Sequence, residues 1–490
     1  MVNTTGRDET AAVLGAGITG LTAAYFLQQY GYSPLVIERD NQVGGLAKTV
    51  NYNGFRFDLG GHRFLTSNAD LERFVKNLLN HRYLVVNRTS NIYLNNRYIK
   101  YPLQPWNAFR HVGYRQSLTF LSDYILQKCK SNRDNVRSLE EWVVQRFGRS
   151  LYEVFFKGYS EKVWGLDCTQ IDSDWIAQRI QNLNLAKAIK SAISKRTSKH
   201  YATLTDKFLY PTDGIGSITD NLRTRIDASN VKLEAEVQRI SHNNHRITSI
   251  DYVQQGQRYR TAPEHIISTI PLSVMVKRLD PQPPTHIVGA ANKLRSRDLV
   301  LVTLMVNRPQ VSNDSWVYFP EKEVPFGRIH EPRNWSERMA PKGKTAVVTE
   351  HFCFRGDTTW SASNEQLVQR TVDSLCKLGF IQPDELIDAV VLRIANAYPL
   401  FEIGYREHCE TVCGYLSQFE NLNLAGRTGA FRYYNMDHAM LSGIEAVEQL
   451  AGEKIPLAQY GHANEEINSR PNAIHGESNE MCPDYSGVAP

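Results

Sequence analysis

A chain of 490 residues that is 42% hydrophobic and 22% charged has the composition of a globular protein too long for one small core, so two domains, interleaved in sequence, are expected. Its net charge of +5 is modest and gathers in no basic block, which argues against nucleic acid as a partner. No apolar run approaches the roughly eighteen residues of a membrane span, and seven scattered cysteines, with Cys409 and Cys413 lacking metal partners at ligand spacing, fit a reducing, cytoplasmic compartment.

The strongest pattern is AAVLGAGITGLTAAYFLQQYGYSPLVIER at 11–39. An apolar run meets Gly15, Gly17 and Gly20 in GxGxxG spacing, then an apolar-periodic helix, a stop at Gly31 and a second β-branched run ending at Glu38. This is a βαβ dinucleotide fingerprint. Gly15 makes the tight turn, Gly17 lets backbone approach a pyrophosphate, Gly20 lets helix and strand pack closely, and the phosphates meet free N–H groups at the helix start. Glu38 falls 23 residues after Gly15, where an acid takes the ribose hydroxyls. A signal peptide is the other reading of this apolar stretch, but the leader MVNTTGRDET has neither a basic start nor a cleavage site.

Arg39 follows, then Gly44, Gly45 and Leu46 in RDNQVGGLAKTV, a second glycine turn able to reach the same pyrophosphate from another side. On the fingerprint alone, NAD is the rival cofactor. The extended pattern resembles the FAD site of the flavin amine oxidase and protoporphyrinogen oxidase superfamily, which implies FAD and an α/β fold with a Rossmann-like domain. The FAD is expected to be non-covalent, because no cysteine or histidine lies in a recognisable attachment motif; an external reductant such as NAD(P)H and a homo-oligomer are both compatible with the sequence.

The run NYNGFRFDLGGHRFL at 51–65 reads as a hairpin ending in Gly60 and Gly61 beside His62. A lone histidine is more often a structural hydrogen-bonder than a catalyst. From about 70 to 205 the chain reads as helical, with amphipathic spacing and a capping box at Ser138 and Glu141. DKFLYPTDGIGSITDNL then gives a turn and a helix, and VKLEAEVQRI, RITSIDYVQ and HIISTIP read as strands returning to the nucleotide domain. In the superfamily a residue placed like Val237 touches adenine through its backbone. Residues 298–354 are β-rich and 363–378 helical. In NLNLAGRTGAFRYYNMDHAMLSGIEAVEQLAG a strand reaches Gly426 and Arg427, and a helix begins near Met436 and Asp437; its positive N-terminus suits the anionic edge of a reduced flavin.

These boundaries give a discontinuous FAD-binding domain of 1–69, 206–297 and 415–453, and an α+β substrate domain of 70–205 and 298–414. A polar tail at 454–490 is expected to be mobile.

Four places together resemble the UDP-galactopyranose mutases. GRSLYEVFFKGYSEKVWG is close to their Gly-Tyr-(Ser/Thr)-x-Lys-x-Trp signature, whose tyrosine and tryptophan hold uridine and match Tyr159 and Trp164. Arg179 aligns with an arginine on the substrate diphosphate, and Arg328 in PFGRIHEP with an arginine near the flavin. NAYPLFEIGYREH and AGRTGAFRYYNMDH match the closing signature and nominate Tyr398, Arg427 and Tyr433. His62 matches the family's Gly-Gly-His histidine. Two departures stand out: Asn435 where aspartate is usual and Phe431 where tyrosine is usual.

The resemblance implies a nucleotide-sugar substrate and a redox-neutral pyranose/furanose mutase in which N5 of reduced flavin attacks the anomeric carbon. Arg179 and Arg328 would hold the diphosphate, Tyr159, Trp164, Tyr398, Tyr433 and Asn435 would complete the substrate site, and His62 would set flavin geometry and protonation. The alternative is a FAD-dependent oxidase or desaturase on the same fold. A prenyl-protein binder such as a Rab GDP dissociation inhibitor is a third reading, which Glu38, Gly44, Gly45 and the C-terminal signature oppose.

Overall fold

Alternate residues of the first strand, Thr10–Leu14, enter different cores, which is why it is apolar from Ala11 onward: Ala11 and Val13 face one layer, Ala12 and Leu14 the other. The computed structural model describes residues 9–101, 114–129, 136–179 and 207–460. Thr10–Leu14 is the centre of a five-stranded parallel sheet ordered Leu422–Leu424, His265–Ser268, Thr10–Leu14, Ser33–Ile37, Val231–Lys232. Val13 lies opposite Val36 on one side and Ile267 on the other. The helices Ile18–Gln29, Ser217–Arg223 and Met436–Ala451 cover one face through Leu21, Phe26, Ile218 and Met440. The helices Leu139–Phe147, Gly158–Trp164 and Leu272–Arg278 contribute to the core of the other through Trp142, Trp164 and Met275. This is the Rossmann-like α/β arrangement expected from the fingerprint.

A second, seven-stranded sheet runs Leu386–Pro399, Ser296–Val306, Thr345–Cys353, Arg328–His330, Trp316–Tyr318, Ser90–Leu94, Arg97–Lys100. Val300, Val302 and Leu304 pack with Phe319 and Phe326 on one face, while Leu299, Leu301 and Met305 pack with Phe55 and Phe57 on the other. Its register sets Arg328 opposite Glu350.

Two expectations change and one is drawn more finely. The block 70–205 is not purely helical: Tyr83–Asn87, Ser90–Leu94 and Arg97–Lys100 are strands, and Asn95 and Asn96 at φ +53° and +59° make the left-handed two-residue turn of a hairpin. The strands of 235–261 do not join the parallel sheet but form their own sheet with Leu279–Asp280; Ala235, Val237 and Ile240 are buried between exposed neighbours, the pattern of a sheet with one wet face. The tail does not leave the body at residue 454: Ile455 and Leu457 are buried, and Tyr460 packs edge-on against Phe26 at 5.1 Å. Residues 461–490 lie outside the described residues.

The capping box of Ser138 and Glu141 is present, as is a second at Ser363 and Gln366 opening Asn364–Lys377. Among the described residues no helix is long and apolar enough to cross a membrane.

Candidate active site

Main chain builds the first part of the site. Gly15, at φ +101°, turns so that its N–H donates to Ile37 O at 2.9 Å. A Cβ on Gly20 would stand 1.9 Å from Gly15 O, so only glycine fits there. On Gly17 it would meet nothing within 4 Å among the described residues, which leaves the start of Ile18–Gln29 open to a ligand. The second turn lies alongside: Gly44 N–H donates to Ala16 O at 2.8 Å, and a Cβ on Gly45 would be 3.2 Å from Gly17 Cα. Leu46 follows in the turn Gly45–Ala47, half-buried against the core that contains Phe57.

Glu38 is engaged by backbone, accepting from Ala16 N–H at 2.7 Å and Asp40 N–H at 2.9 Å, and so ties the fingerprint turn to the end of the second strand. Beyond it an open cleft of about 880 Å³ is lined by Arg39, Asp40, Glu234, Glu236 and Gln238. Val237 lies between the lining residues Glu236 and Gln238, and its side chain is buried.

The C-terminal signature packs onto the fingerprint helix. A Cβ on Gly443 would be 2.6 Å from Thr19 O, and one on Gly426 2.8 Å from Thr19 Oγ1; Gly426 N–H donates to Ser442 Oγ at 3.0 Å. Arg427 donates through Nε and Nη2 to Tyr434 O at 2.9 and 2.6 Å and through Nη1 to Ala397 O at 3.2 Å. Its guanidinium lies 5.5 Å from the Tyr398 ring centroid and 5.3 Å from that of Tyr433. Asn435 stands at the N-cap of Met436–Ala451 with no side-chain capping hydrogen bond among the described residues and is exposed, whereas Met436 is buried. Asp437 Oδ1, also buried, accepts no hydrogen bond among the described residues and stands 3.6 Å from His438 Nδ1. Phe431 packs against Phe401 and Tyr405 at 6.0 and 6.2 Å, in surroundings that suit its lack of a hydroxyl.

The third part is made by side chains. Arg328 grips Glu350 as a fork, Nε to Oε1 at 2.9 Å and Nη2 to Oε2 at 2.5 Å, and Glu350 is fully buried. Burial, the largest single influence, would lower the Arg328 pKa, but the Glu350 carboxylate together with the Tyr398, Tyr159 and Tyr318 hydroxyls outweighs it and holds the guanidinium charged. Gly61 N–H donates to Glu350 Oε1 at 3.2 Å, and a Cβ on Gly61 would collide with Trp316 Nε1 at 2.0 Å. His62 follows, its Nδ1 buried with no hydrogen-bond partner among the described residues. Burial, then the charges of Arg427 and Arg328, push its pKa down to about 3, so the imidazole is neutral at neutral pH.

Aromatic rings close the pocket. Trp164 lies 6.3 Å from Tyr398 and 6.4 Å from Tyr433, and those two tyrosines stack at 6.2 Å within 11° of parallel. Tyr159 meets Tyr318 edge-on at 5.4 Å. Burial pushes Tyr398 up to about 12 and raises Tyr159, so both phenols stay protonated donors.

His62, Arg328, Tyr159, Trp164, Tyr398, Arg427 and Tyr433, drawn from distant segments, are thus brought together. The backbone of Arg179 closes the helix Ser173–Arg179, but its side chain lies outside the described residues. Sequence reasoning passed over Glu350, Tyr318 and His330, whose Nδ1 is 3.7 Å from Glu350 Oε1. The available signal was an acid inside the apolar strand KTAVVTEHF, where an unpaired carboxylate is costly.

The chain is similar to known proteins in sequence and in fold. Over 170 residues, 34% of this chain and 43% of the relative, the chain is 26% identical to a "Probable UDP-galactopyranose mutase" of Klebsiella pneumoniae. Over 143 residues, 28% of each, it is 27% identical to protoporphyrinogen oxidase 2 of Arabidopsis thaliana. Less than half the length of these curated relatives is therefore matched. The crystal structure of a reduced UDP-galactopyranose mutase superposes with a TM-score of 0.79 at 22% identity, covering 93% of this chain and 98% of that one, and so shares its fold. The family described as flavin containing amine oxidoreductase matches residues 18–451, nearly the whole chain, and the protein belongs to that family of flavoenzymes.

Proposed function

We propose that this flavoenzyme binds FAD non-covalently and acts as a nucleotide-sugar pyranose/furanose mutase, with the domain division read from its sequence. The observation that carries the reading is the charge balance of the pocket. Arg328 and Arg427 both act on His62, Glu350 is the carboxylate that pairs with Arg328, and Arg427 forms no ion pair among the described residues. Around His62 itself the two arginine charges exceed the one paired carboxylate, an aromatic-lined setting that suits a diphosphate and repels a protonated amine.

The residues fit the cofactor: Gly17 leaves an open approach, Gly44 and Gly45 flank it, and the His62 Nδ1 awaits a polar partner. Glu38, Arg39, Leu46 and the Val237 backbone would hold the adenosine half, and Gly60, Gly61, His62, Gly426, Arg427, Met436 and Asp437 would surround the ring. Bound and reduced, the flavin supplies the nucleophile for the anomeric carbon. Arg328, with Arg179, would hold the leaving diphosphate, the Tyr398 and Tyr433 hydroxyls would donate to its oxygens, and Tyr159 and Trp164 would enclose the base beside Asn435. Neutral His62 would accept or donate one hydrogen bond without adding charge.

The oxidase of Arabidopsis thaliana, similar at the same level of identity, keeps oxidation of a porphyrinogen as the second reading, with desaturation of a polyene beside it. Anaerobic dithionite reduction followed by a panel of UDP-, GDP- and dTDP-sugars separates the two. The expected result is furanose product, many turnovers per reduction and no hydrogen peroxide. Stoichiometric peroxide from a porphyrinogen, polyene or amine, with no furanose from any nucleotide sugar, would overturn the mutase reading.

A further inference from the structure

Lys162 stands between Tyr159 and Trp164 on the helix Gly158–Trp164, yet its ammonium turns away from the aromatic pocket and into the loop 319–327. There Nζ reaches four main-chain carbonyls: Phe319 at 2.8 Å, Val324 at 2.9 Å, Phe326 at 3.2 Å, and Glu321. The loop is pinched at its base by Phe319 N–H donating to Gly327 O at 2.9 Å, and Gly327 N–H donates in turn to Glu350 O at 2.9 Å. Its two ends carry Tyr318 and Arg328, both of the candidate site. Helix and loop touch closely as well: a Cβ on Gly158 would be 3.1 Å from Pro320 O.

Among the described residues Lys162 forms no ion pair, so carbonyl dipoles compensate the ammonium where a carboxylate would ordinarily do so. An apolar side chain of the same length would avoid the desolvation cost but would take from the Phe319, Val324 and Phe326 carbonyls the Lys162 donor, while Glu321 O would keep the Val324 N–H at 3.4 Å. The arrangement resembles a cation site whose cation is tethered to the neighbouring helix.

We propose that Lys162 is a positioning residue: its ammonium, caged by the carbonyls of the 319–327 loop, locks that loop to the Gly158–Trp164 helix and so sets Tyr318 and Arg328 against Tyr159 and Trp164. The consequence for ligand binding rests on the nucleotide-sugar reading; the lock itself does not.

The test is Lys162→Met in the full, flavin-loaded chain, followed by hydrogen exchange and by titration with UDP, with Arg328→Ala as reference. Exchange of the Phe319 and Gly327 amides is expected to rise at least tenfold, while flavin content and exchange across 10–37 stay unchanged and UDP affinity falls at least tenfold. Unchanged protection at 319–327 overturns the lock. Lost protection with undiminished UDP affinity, where Arg328→Ala does weaken UDP, overturns the positioning role. If the wild type does not bind UDP, the functional reading fails for that nucleotide and the exchange result decides the lock by itself.

Should the variant not fold, wild-type exchange is followed from about pH 7 to about pH 9, corrected for the intrinsic rate. Burial lowers the Lys162 pKa to about 8 against the pull of Glu321 and Glu323, so protection at 319–327 is expected to fall as the ammonium loses its proton. The other groups facing it are His351, held down to about 4 and neutral throughout, and Arg297, which donates to the Lys162 carbonyl. Protection that stays flat across the range overturns the lock.

Discussion

The glycine cradle and the pocket around His62 are built on opposite plans. The cradle comes from one stretch, 15–45, and is shaped by main chain and by missing side chains: no Cβ fits at Gly20, and none obstructs Gly17. The pocket takes His62, Tyr159, Trp164, Arg328, Glu350, Tyr398 and Arg427 from segments hundreds of residues apart and is held by forks, stacked rings and burial. A site made of backbone is encoded where it stands. A site made of side chains is encoded by whatever brings its strands into register.

The largest effect that would sharpen this contrast lies inside the cradle. Gly20→Val drives a Cβ into Gly15 O and is expected to destabilise the fold by at least about 3 kcal/mol. Gly17→Val meets open space at an ordinary backbone angle, so its apo-protein should keep its stability within about 1 kcal/mol while flavin loading is lost. Thermal unfolding and the flavin absorbance read both; full loading in Gly17→Val would break the cradle reading.

Next comes the pocket. Arg328→Ala strands a fully buried Glu350 and is expected to cost about 3 to 5 kcal/mol of stability. The same change should weaken nucleotide-sugar binding by about 2 to 4 kcal/mol with flavin retained. Replacing both partners by Met should recover most of the stability and none of the binding, as measured by denaturant unfolding and calorimetry. Nucleotide-sugar binding that survives the double replacement would reduce the fork to a packing device.

The third effect is a slope with pH. His62 takes up its proton near pH 3 in the folded chain but near 6.5 when unfolded, so stability is present above about 6.5 and is lost as pH falls toward 3. His330 and His351 are shifted in the same direction by burial and add to the acid limb. His62→Leu should flatten that limb by about 1.4 kcal/mol per pH unit between roughly pH 6 and 4. An unchanged slope would show that His62 reaches water.

The sequence by itself determined the elements whose cause is local. The fingerprint strand and helix, the Ser138 capping box, the hairpin before Gly60 and the helix from Met436 all follow from spacing, turn chemistry and apolar period, because each depends on residues within a few turns of one another. The strands at 83–100 were legible too, in β-branched runs flanking Asn95 and Asn96, but were hidden by the helical pattern around them.

Tertiary structure alone decided the pairing of Arg328 with Glu350, the neutrality of His62 and the convergence of the aromatic rings. An isolated acid in an apolar strand has no visible partner until antiparallel register places residue 328 opposite residue 350. A histidine has no shifted pKa until burial removes its water. Both effects fall off over a few ångströms of space, and sequence separation carries no measure of that distance.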